Sequence, residues 1–501
     1  MRPHPTLLLL FSLLLLARSS VAHAQSPPAT IRAARLLDGH GQVVDDVLVT
    51  VENGRITRVE HPPAGARPTM ELKNLTLLPG LIDTHAHVGW YFNRQGRYHG
   101  GRDGETLQDG IVAGEANVHA MLLGGVTTIQ SPGAAEDKEI RDRVAAGAIP
   151  GPRILTSLQP LMNPRTTPEE FRAAVRTRKR QGADFIKVFA SGSIRDGGML
   201  TLTEEQLRAI CDEAKAVGLR VMIHAHSPDS VKAAALAGCT QIEHGVFISE
   251  ENLKLLTERG IYFDPQIDLV MRNYLENRAK YQGISNFTDA GFKTMQEVRP
   301  QFVRTFQKAL ATPGLKILFG SDAVAGSHGR NVEELISRVK DGGQKPMDAL
   351  VSAGSLAAGA IGLGKEIGTI APGYAADLIA TDGDPSRDIT ALRRVVFVMK
   401  GGKMYLDPAA APAAAFAVVG KWLCISGRAV PARLDFAADG TLQTTDSPGE
   451  NASPLRYTLE AGRLTVTDAA GRAKQYHIRV NSSLLTLDED NGPRFFFRRM
   501  P

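Results

Sequence analysis

The sequence predicts an α/β protein: a (β/α)8 TIM barrel, a small composite β-sandwich contributed by both of its flanks, and an all-β domain at the C-terminal end. Three observations predict this. Between residues 79 and 365, eight short apolar runs alternate with amphipathic helical segments, the pattern of a closed parallel barrel. On either side lie short alternating strands with hairpin turns. Beyond residue 415 apolar residues recur with period two, broken by regular turns, as in an antiparallel meander. A chain of 501 residues can bury more than one core. Its 43% apolar and 22% charged residues are ordinary for a globular protein. The net charge of +5 is small at this length, and no basic cluster is interleaved with aromatics. Nucleic acid is therefore excluded as a partner.

Taken in order, residues 1–24 read as a signal peptide. Arg2 and His4 form a polar start, Leu7 to Leu16 is nearly all Leu, and Ala22-His23-Ala24 is a small-x-small cleavage site. The apolar run is too short to span a bilayer comfortably. Cleavage is expected after Ala24, leaving a secreted or periplasmic chain without a stable membrane span. Export permits disulfides, but Cys211, Cys239 and Cys424 are odd in number and far apart in sequence. No disulfide framework is implied, and Cys211 and Cys239 read as small core residues.

Residues 25–78 hold alternating strands. Ile31, Ala33 and Arg35 lead to the turn Asp38-Gly39-His40-Gly41, and Val47, Val49 and Val51 lead to the hairpin signal Asn53-Gly54. This unit is too small to stand alone. Residues 366–407, with Ala376–Ala380, Val395–Met399 and the Gly401-Gly402 turn, supply its partners. The barrel over 79–365 has candidate strands Leu81–His85, Val126–Gln130, Arg153–Ser157, Phe185–Ala190, Arg220–Ala225, Thr240–His244, Tyr262–Gln266 and Ile317–Asp322. Helices between them include Glu204–Val217, capped by Thr203 and stopped by Gly218, and Asp229–Ala237, ending at Gly238. Residues 268–310 are longer than one helix needs and read as a lid or side helix pair. Residues 331–362 are helical. Residues 408–415 form an Ala/Pro linker, and 416–501 form the C-terminal domain. Its Gly-x-Trp at Gly420–Trp422 followed by Asp-Gly hairpins looks lipocalin-like.

Asp83-Thr84-His85-Ala86-His87 closes the first barrel strand. Residues i and i+2 on a strand share a face, so both imidazoles can reach one point. Lys187 lies in the fourth strand, His224 ends the fifth, His244 the sixth and Asp322 the eighth. All converge on the C-terminal face, where barrel active sites sit. Any one of them has a plain structural role available. Six at the tips of barrel strands point to a metal site.

These motifs resemble the amidohydrolase superfamily: Pro-Gly-Leu-Ile-Asp-Thr-His-Ala-His at 79–87, Gly-Val-Thr-Thr at 125–128, Ala-Asp-Phe-Ile-Lys-Val at 183–188, Ile-Glu-His-Gly at 242–245, Gly-Ser-Asp-Ala at 320–323, and Gly-x-Ile-x-Pro-Gly-x-x-Ala-Asp-Leu at 368–378. The resemblance covers roughly residues 30–407. It leans to the branch of imidazolonepropionase-related proteins, prolidase-like dipeptidases and ochratoxinase-like amidases. It implies a carbamylated Lys187 bridging two divalent ions, Zn²⁺ suiting the ligands best. His85, His87, Lys187 and Asp322 would hold one ion; Lys187, His224 and His244 would hold the other. Asp322 would also be the general base and acid toward the water that the two ions share. A plain lysine at 187 would imply one metal, as in the deaminase-like branches.

Around these, His226 faces either the substrate and reaction intermediate or its own loop. Arg195 either pairs with a substrate carboxylate or is an ordinary surface arginine. Tyr262 and Asp264 border the seventh strand; Tyr262 is read as a pocket residue, with packing its plainer role. His119 reads as structural. Where the family pattern has an Arg-Asp-like pair after the second strand, this chain has Gln130-Ser131-Pro132, and residues 88–104 form a long aromatic, Gly-rich loop. The expected activity is hydrolysis of a C–N bond in a dipeptide, N-acyl amino acid or related amide. A cyclic amide, ester or lactone would suit the same site, and a non-catalytic metal-holding binding protein is the reading from another class. A homo-oligomer is compatible with the sequence.

Overall fold

The computed structural model describes residues 28–408, 418–426, 433–445, 454–460, 462–480, 484–489 and 494–500. The predicted signal peptide and the linker after residue 408 lie outside the described residues.

The chain opens with β1 (Ala29–Leu37), β2 (Val43–Glu52), β3 (Arg55–Glu60) and β4 (Met70–Pro79). Seven parallel barrel strands follow: β5 (Leu81–Asp83), β6 (Val126–Ser131), β7 (Arg153–Thr156), β8 (Ile186–Phe189), β9 (Val221–Ala225), β10 (Gln241–His244) and β11 (Tyr262–Asp264). β5-β6-β7 and β8-β9-β10-β11 form two ladders. They are joined by Asp184 N–H donating to Thr156 O at 2.9 Å and by the Leu161–Val188 bridge.

The eighth position is held by residues 317–319. Leu318 N–H donates to Phe263 O and Thr84 N–H to Phe319 O, both at 2.8 Å. The predicted strand Ile317–Asp322 is thus corrected to isolated bridges. Its cause is local. Ser321 gives its N–H (3.0 Å) and its hydroxyl (2.5 Å) to the Asp83 carboxylate instead of to a neighbouring strand. Gly320 lies so close to Asp264 that a Cβ would stand 2.2 Å from Oδ2.

Helices cover the barrel. Glu204–Ala216 starts at Thr203, whose side chain accepts from Gln206 N–H in a capping box, and Pro228–Leu236 starts at Ser227. Residues 268–310 form the helices Leu269–Glu276, Arg278–Tyr281 and Asp289–Leu310. Cys211 and Cys239 form a disulfide, which corrects their reading as separate core residues. The first lies on helix Glu204–Ala216 and the second just before β10. Neighbouring barrel units bring together two cysteines that sequence distance keeps apart.

β12 (Leu378–Asp382), β13 (Val395–Lys400) and β14 (Lys403–Leu406) return to the N-terminal strands in the order β14-β13-β12-β4-β1-β2-β3. The predicted sandwich is one curled sheet over a core of Ile31, Val49, Leu72, Leu378 and Phe397. β4 joins the two flanks, parallel to β1 and antiparallel to β12. Asn53 and Gly54 both take positive φ, as a two-residue type I′ turn requires. The tip meets the opposite hairpin closely: a Cβ at Gly54 would lie 2.7 Å from Gly401 O.

The C-terminal domain is a closed antiparallel barrel of β15 (Gly420–Cys424), β16 (Arg433–Phe436), β17 (Thr441–Thr445), β18 (Leu455–Glu460), β19 (Arg463–Thr467), β20 (Ala473–Val480), β21 (Leu484–Asp488) and β22 (Arg494–Arg499). Its side chains alternate. Trp422 and Phe497 face its interior, while Leu423 and Phe496 join the cores of the larger barrel. Arg498 donates to Phe92 O at 2.8 Å and Arg494 to Leu123 O at 3.0 Å. Among the described residues, no helix is long and apolar enough to cross a membrane.

Candidate metal centre and its pocket

His85 and His87 leave β5 interlocked with the eighth segment. Asp322 N–H donates to His85 O at 2.7 Å and His87 N–H to Ala323 O at 2.8 Å. This places the Asp322 carboxylate 3.2 Å from His87 Nε2 and 3.5 Å from His85 Nε2. His85 Nδ1 is bound on its other side by Glu243 Oε2 at 2.6 Å. Glu243 is held in turn by Gln241 (2.8 Å) and Gln266 (3.3 Å). A carboxylate behind an imidazole fixes its tautomer and aims the other nitrogen.

From the opposite wall come His224 and His226 at and after β9, and His244 at the tip of β10. Their ring centroids lie 4.5–4.9 Å apart. His244 and Asp322 are non-glycine residues in the left-handed region, with φ of 68° and 48°. Such backbone costs about 1–3 kcal/mol and gathers at functional sites.

Among the described residues, two groups have ligand atoms close enough to share an ion: His224, His226 and His244, and His85, His244 and Asp322. His226 therefore stands among the candidate ligands as well as beside the substrate space. Lys187, on β8, is 1% exposed. Among the described residues its Nζ has no hydrogen-bond partner, and neither do His87 Nδ1 and His226 Nδ1. Buried donors without partners are costly. A group that engages them fits the cluster, and the imidazole and carboxylate set suits divalent cations.

Electrostatics point the same way. Burial holds His85, His224 and His244 well below the ordinary imidazole range and brings His226 down to about 3. Burial also lowers Lys187, against the pull of Glu243 and Asp322. At Asp322, burial raises the carboxyl, but His85, His87 and Lys187 outweigh it and keep the group below its usual range. The result is neutral imidazoles facing an ionised carboxylate. Buried Glu243 goes the other way, up to about 8.

These residues line a cavity of about 340 Å³ with Trp90, Phe189, Met271 and Tyr274. Arg195 also lines it. Its guanidinium lies 4.1 Å from the Phe287 ring centroid, and its Nε donates to Asn286 Oδ1 at 2.9 Å. Tyr262 does not reach the cavity. It pairs with Gln241, three residues before His244, and packs under Lys316 Nζ at 5.1 Å. Its pocket role is thereby corrected: it starts β11, at the end of the barrel away from the site. Asp264 is buried below the pocket, accepting from Thr84 Oγ1 at 2.5 Å and facing Arg338. Sequence reasoning missed Glu243 and Tyr274. The first stood inside the quoted Ile-Glu-His-Gly motif; nothing local marked the second.

A barrel that gathers five histidines, an aspartate and a buried lysine at its C-terminal rim has the donor set of a metal-dependent hydrolase. The chain belongs to the Amidohydrolase family, whose model matches residues 76–405. It is 27% identical over 430 residues to ochratoxinase of Aspergillus niger, covering 76% of this chain and 87% of that protein. It is 22% identical over 384 residues to imidazolonepropionase of Caldanaerobacter subterraneus subsp. tengcongensis, covering 68% and 84%. A crystal structure of a Xaa-Pro dipeptidase with methionine bound in its active site aligns with a TM-score of 0.68 at 28% identity, over 76% of this chain and all of that one.

Proposed function

We propose that the protein is an exported amidohydrolase with a binuclear centre that cleaves the amide bond of a dipeptide, an N-acyl amino acid or a related carboxylate-bearing amide. His85, His87, His224, His244 and Asp322 would hold two divalent ions, Zn²⁺ first among them. Lys187 would bridge them as a carbamate, which replaces a buried ammonium by an anion with two oxygens. Such ions would supply an activated water and a Lewis acid for the scissile carbonyl, and Asp322 would take a proton from the water and return it to the leaving amine. Glu243 keeps His85 aimed, and His226, which lines the same cavity beside His224 and His244, would serve as a further ligand or as a contact for the reacting carbonyl oxygen. The Cys211–Cys239 pair supports an oxidising compartment.

The observation that carries the substrate class is Arg195. It is a guanidinium stacked on an aromatic ring in the same cavity as the cluster, among Trp90, Phe189 and Met271. An arginine so fixed suits a carboxylate, and the apolar walls suit an acyl or side-chain group. Arg195→Met should raise KM for N-acyl amino acids and dipeptides at least tenfold while leaving their C-terminal amides unchanged. Equal effects on acid and amide would refute the assignment.

A further inference from the structure

The C-terminal barrel encloses a second cavity, of about 470 Å³, remote from the metal cluster in its lining. An eight-stranded barrel is just wide enough either to be filled by its own side chains or to hold one small ligand. Here the two ends differ. One is filled: Trp422 is fully buried, its Nε1 donates to Val418 O at 2.8 Å, and the Arg499 guanidinium covers its ring at 4.6 Å. Toward the other end Phe436, Leu442, Leu464 and Phe497 point inward around open volume. These are not docking residues. The strand neighbours that face the opposite way, Leu423 and Phe496, make the contact with the larger barrel. Among the described rim residues, Arg472 pairs with Asp468 at 2.7 Å and Lys474 with Glu489 at 2.5 Å.

We propose that this cavity is a binding site for an uncharged lipophilic small molecule, an alkyl chain or fused aromatic ring with at most a neutral polar end. Water in an apolar-lined space of this size finds few hydrogen-bond partners, so an apolar occupant is favoured. The volume falls within the range of small-molecule pockets. The two cation–anion pairs among the described rim residues give a charged head group no net attraction. β15 runs from the filled end into Ser426, which bridges Gly326 and Ser327 shortly after Asp322. The rim therefore lies on the side of the domain that meets the hydrolase loops.

The test is fluorescence titration of the full-length protein with the neutral dye N-phenyl-1-naphthylamine. Saturable binding at one site per chain is expected, with decanol displacing the dye at least tenfold more readily than decanoate. Leu464→Trp, which fills the cavity, should weaken dye binding at least tenfold and leave amide turnover unchanged. Asp322→Asn should leave dye binding intact. If Leu464→Trp does not fold, Leu455→Asp at the half-buried cavity edge takes its place. Absence of saturable binding, binding indifferent to both cavity variants, or binding lost in Asp322→Asn would overturn the proposal.

Discussion

Asp322 is where backbone strain, charge and position meet. Its left-handed backbone aims the carboxylate between His85 and His87, and three neighbouring basic groups keep it ionised. Asp322→Asn keeps its size and its tolerance of positive φ. It should lower kcat by about 10³-fold, roughly 4 kcal/mol of transition-state stabilisation, with an unchanged melting profile. A kcat within tenfold of wild type would remove Asp322 from the chemistry. A different residue carries a pH prediction. Burial brings His119, on helix Leu107–Leu123, down to about 4 from an ordinary 6.5. Above pH 6.5 both folded and unfolded states are neutral there. As pH falls below 6.5 the unfolded chain binds a proton that the fold refuses, and stability is lost by about 1.4 kcal/mol per unit until about pH 4. The difference in unfolding free energy between His119→Gln and wild type should therefore grow in the variant's favour from pH 6.5 to 4.5; a constant difference would contradict this. At this scale the convergence of His85, His87, Lys187, His224, His244 and Asp322 was legible because the apolar runs that carry or precede them mark successive barrel units, whose C-terminal ends share one face. Glu243 was not, because its contact with His85 spans 158 residues. Tyr262 was misplaced because β11 ends at Asp264, which leaves the tyrosine at the strand's start.

Elements were read well where local chemistry decides them. Thr203 and Gly218 bracket a helix because a side-chain acceptor and a left-handed glycine are local devices. β4 escaped notice because Lys73-Asn74 interrupts its alternation, with Asn74 itself at positive φ. The eighth strand was overcalled because its apolar run is real, while its backbone donors are divided: Leu318 N–H reaches Phe263 O, but Phe319 N–H goes to Ser352 O and Ser321 N–H to the Asp83 carboxylate. The Cys211–Cys239 bridge joins two helix–strand units at a separation of 28 residues, which cysteine counting could not reveal. Closing a loop of that length restricts the unfolded chain by about 3–4 kcal/mol. Cys211→Ser and Cys239→Ser should each lower urea stability by an amount of that order. The double variant should cost no more than either single one. Unfolding midpoints indifferent to both substitutions and to reductant would contradict the bridge.

Across the whole molecule, one curled sheet ties both ends of the hydrolase barrel together, and the C-terminal barrel grips the loop that borders the pocket. Arg498 holds Phe92 O and Arg433 holds Arg94 O, while Trp90 on the same loop stacks against His87 at 4.3 Å. This docking was illegible in sequence because both faces of β21 and β22 carry apolar residues, Leu485, Leu487 and Phe497 inward and Leu484 and Phe496 outward. The proposed centre is a pair of metal ions bridged through Lys187. The most direct measurement is the metal content of protein purified with divalent metal and bicarbonate, taken beside its turnover of an N-acyl amino acid and Xaa-Pro panel. About two ions per chain are expected, with turnover abolished by chelation and loss of the second ion together with activity in Lys187→Ala. One ion per chain with turnover that survives in Lys187→Ala would contradict that proposal.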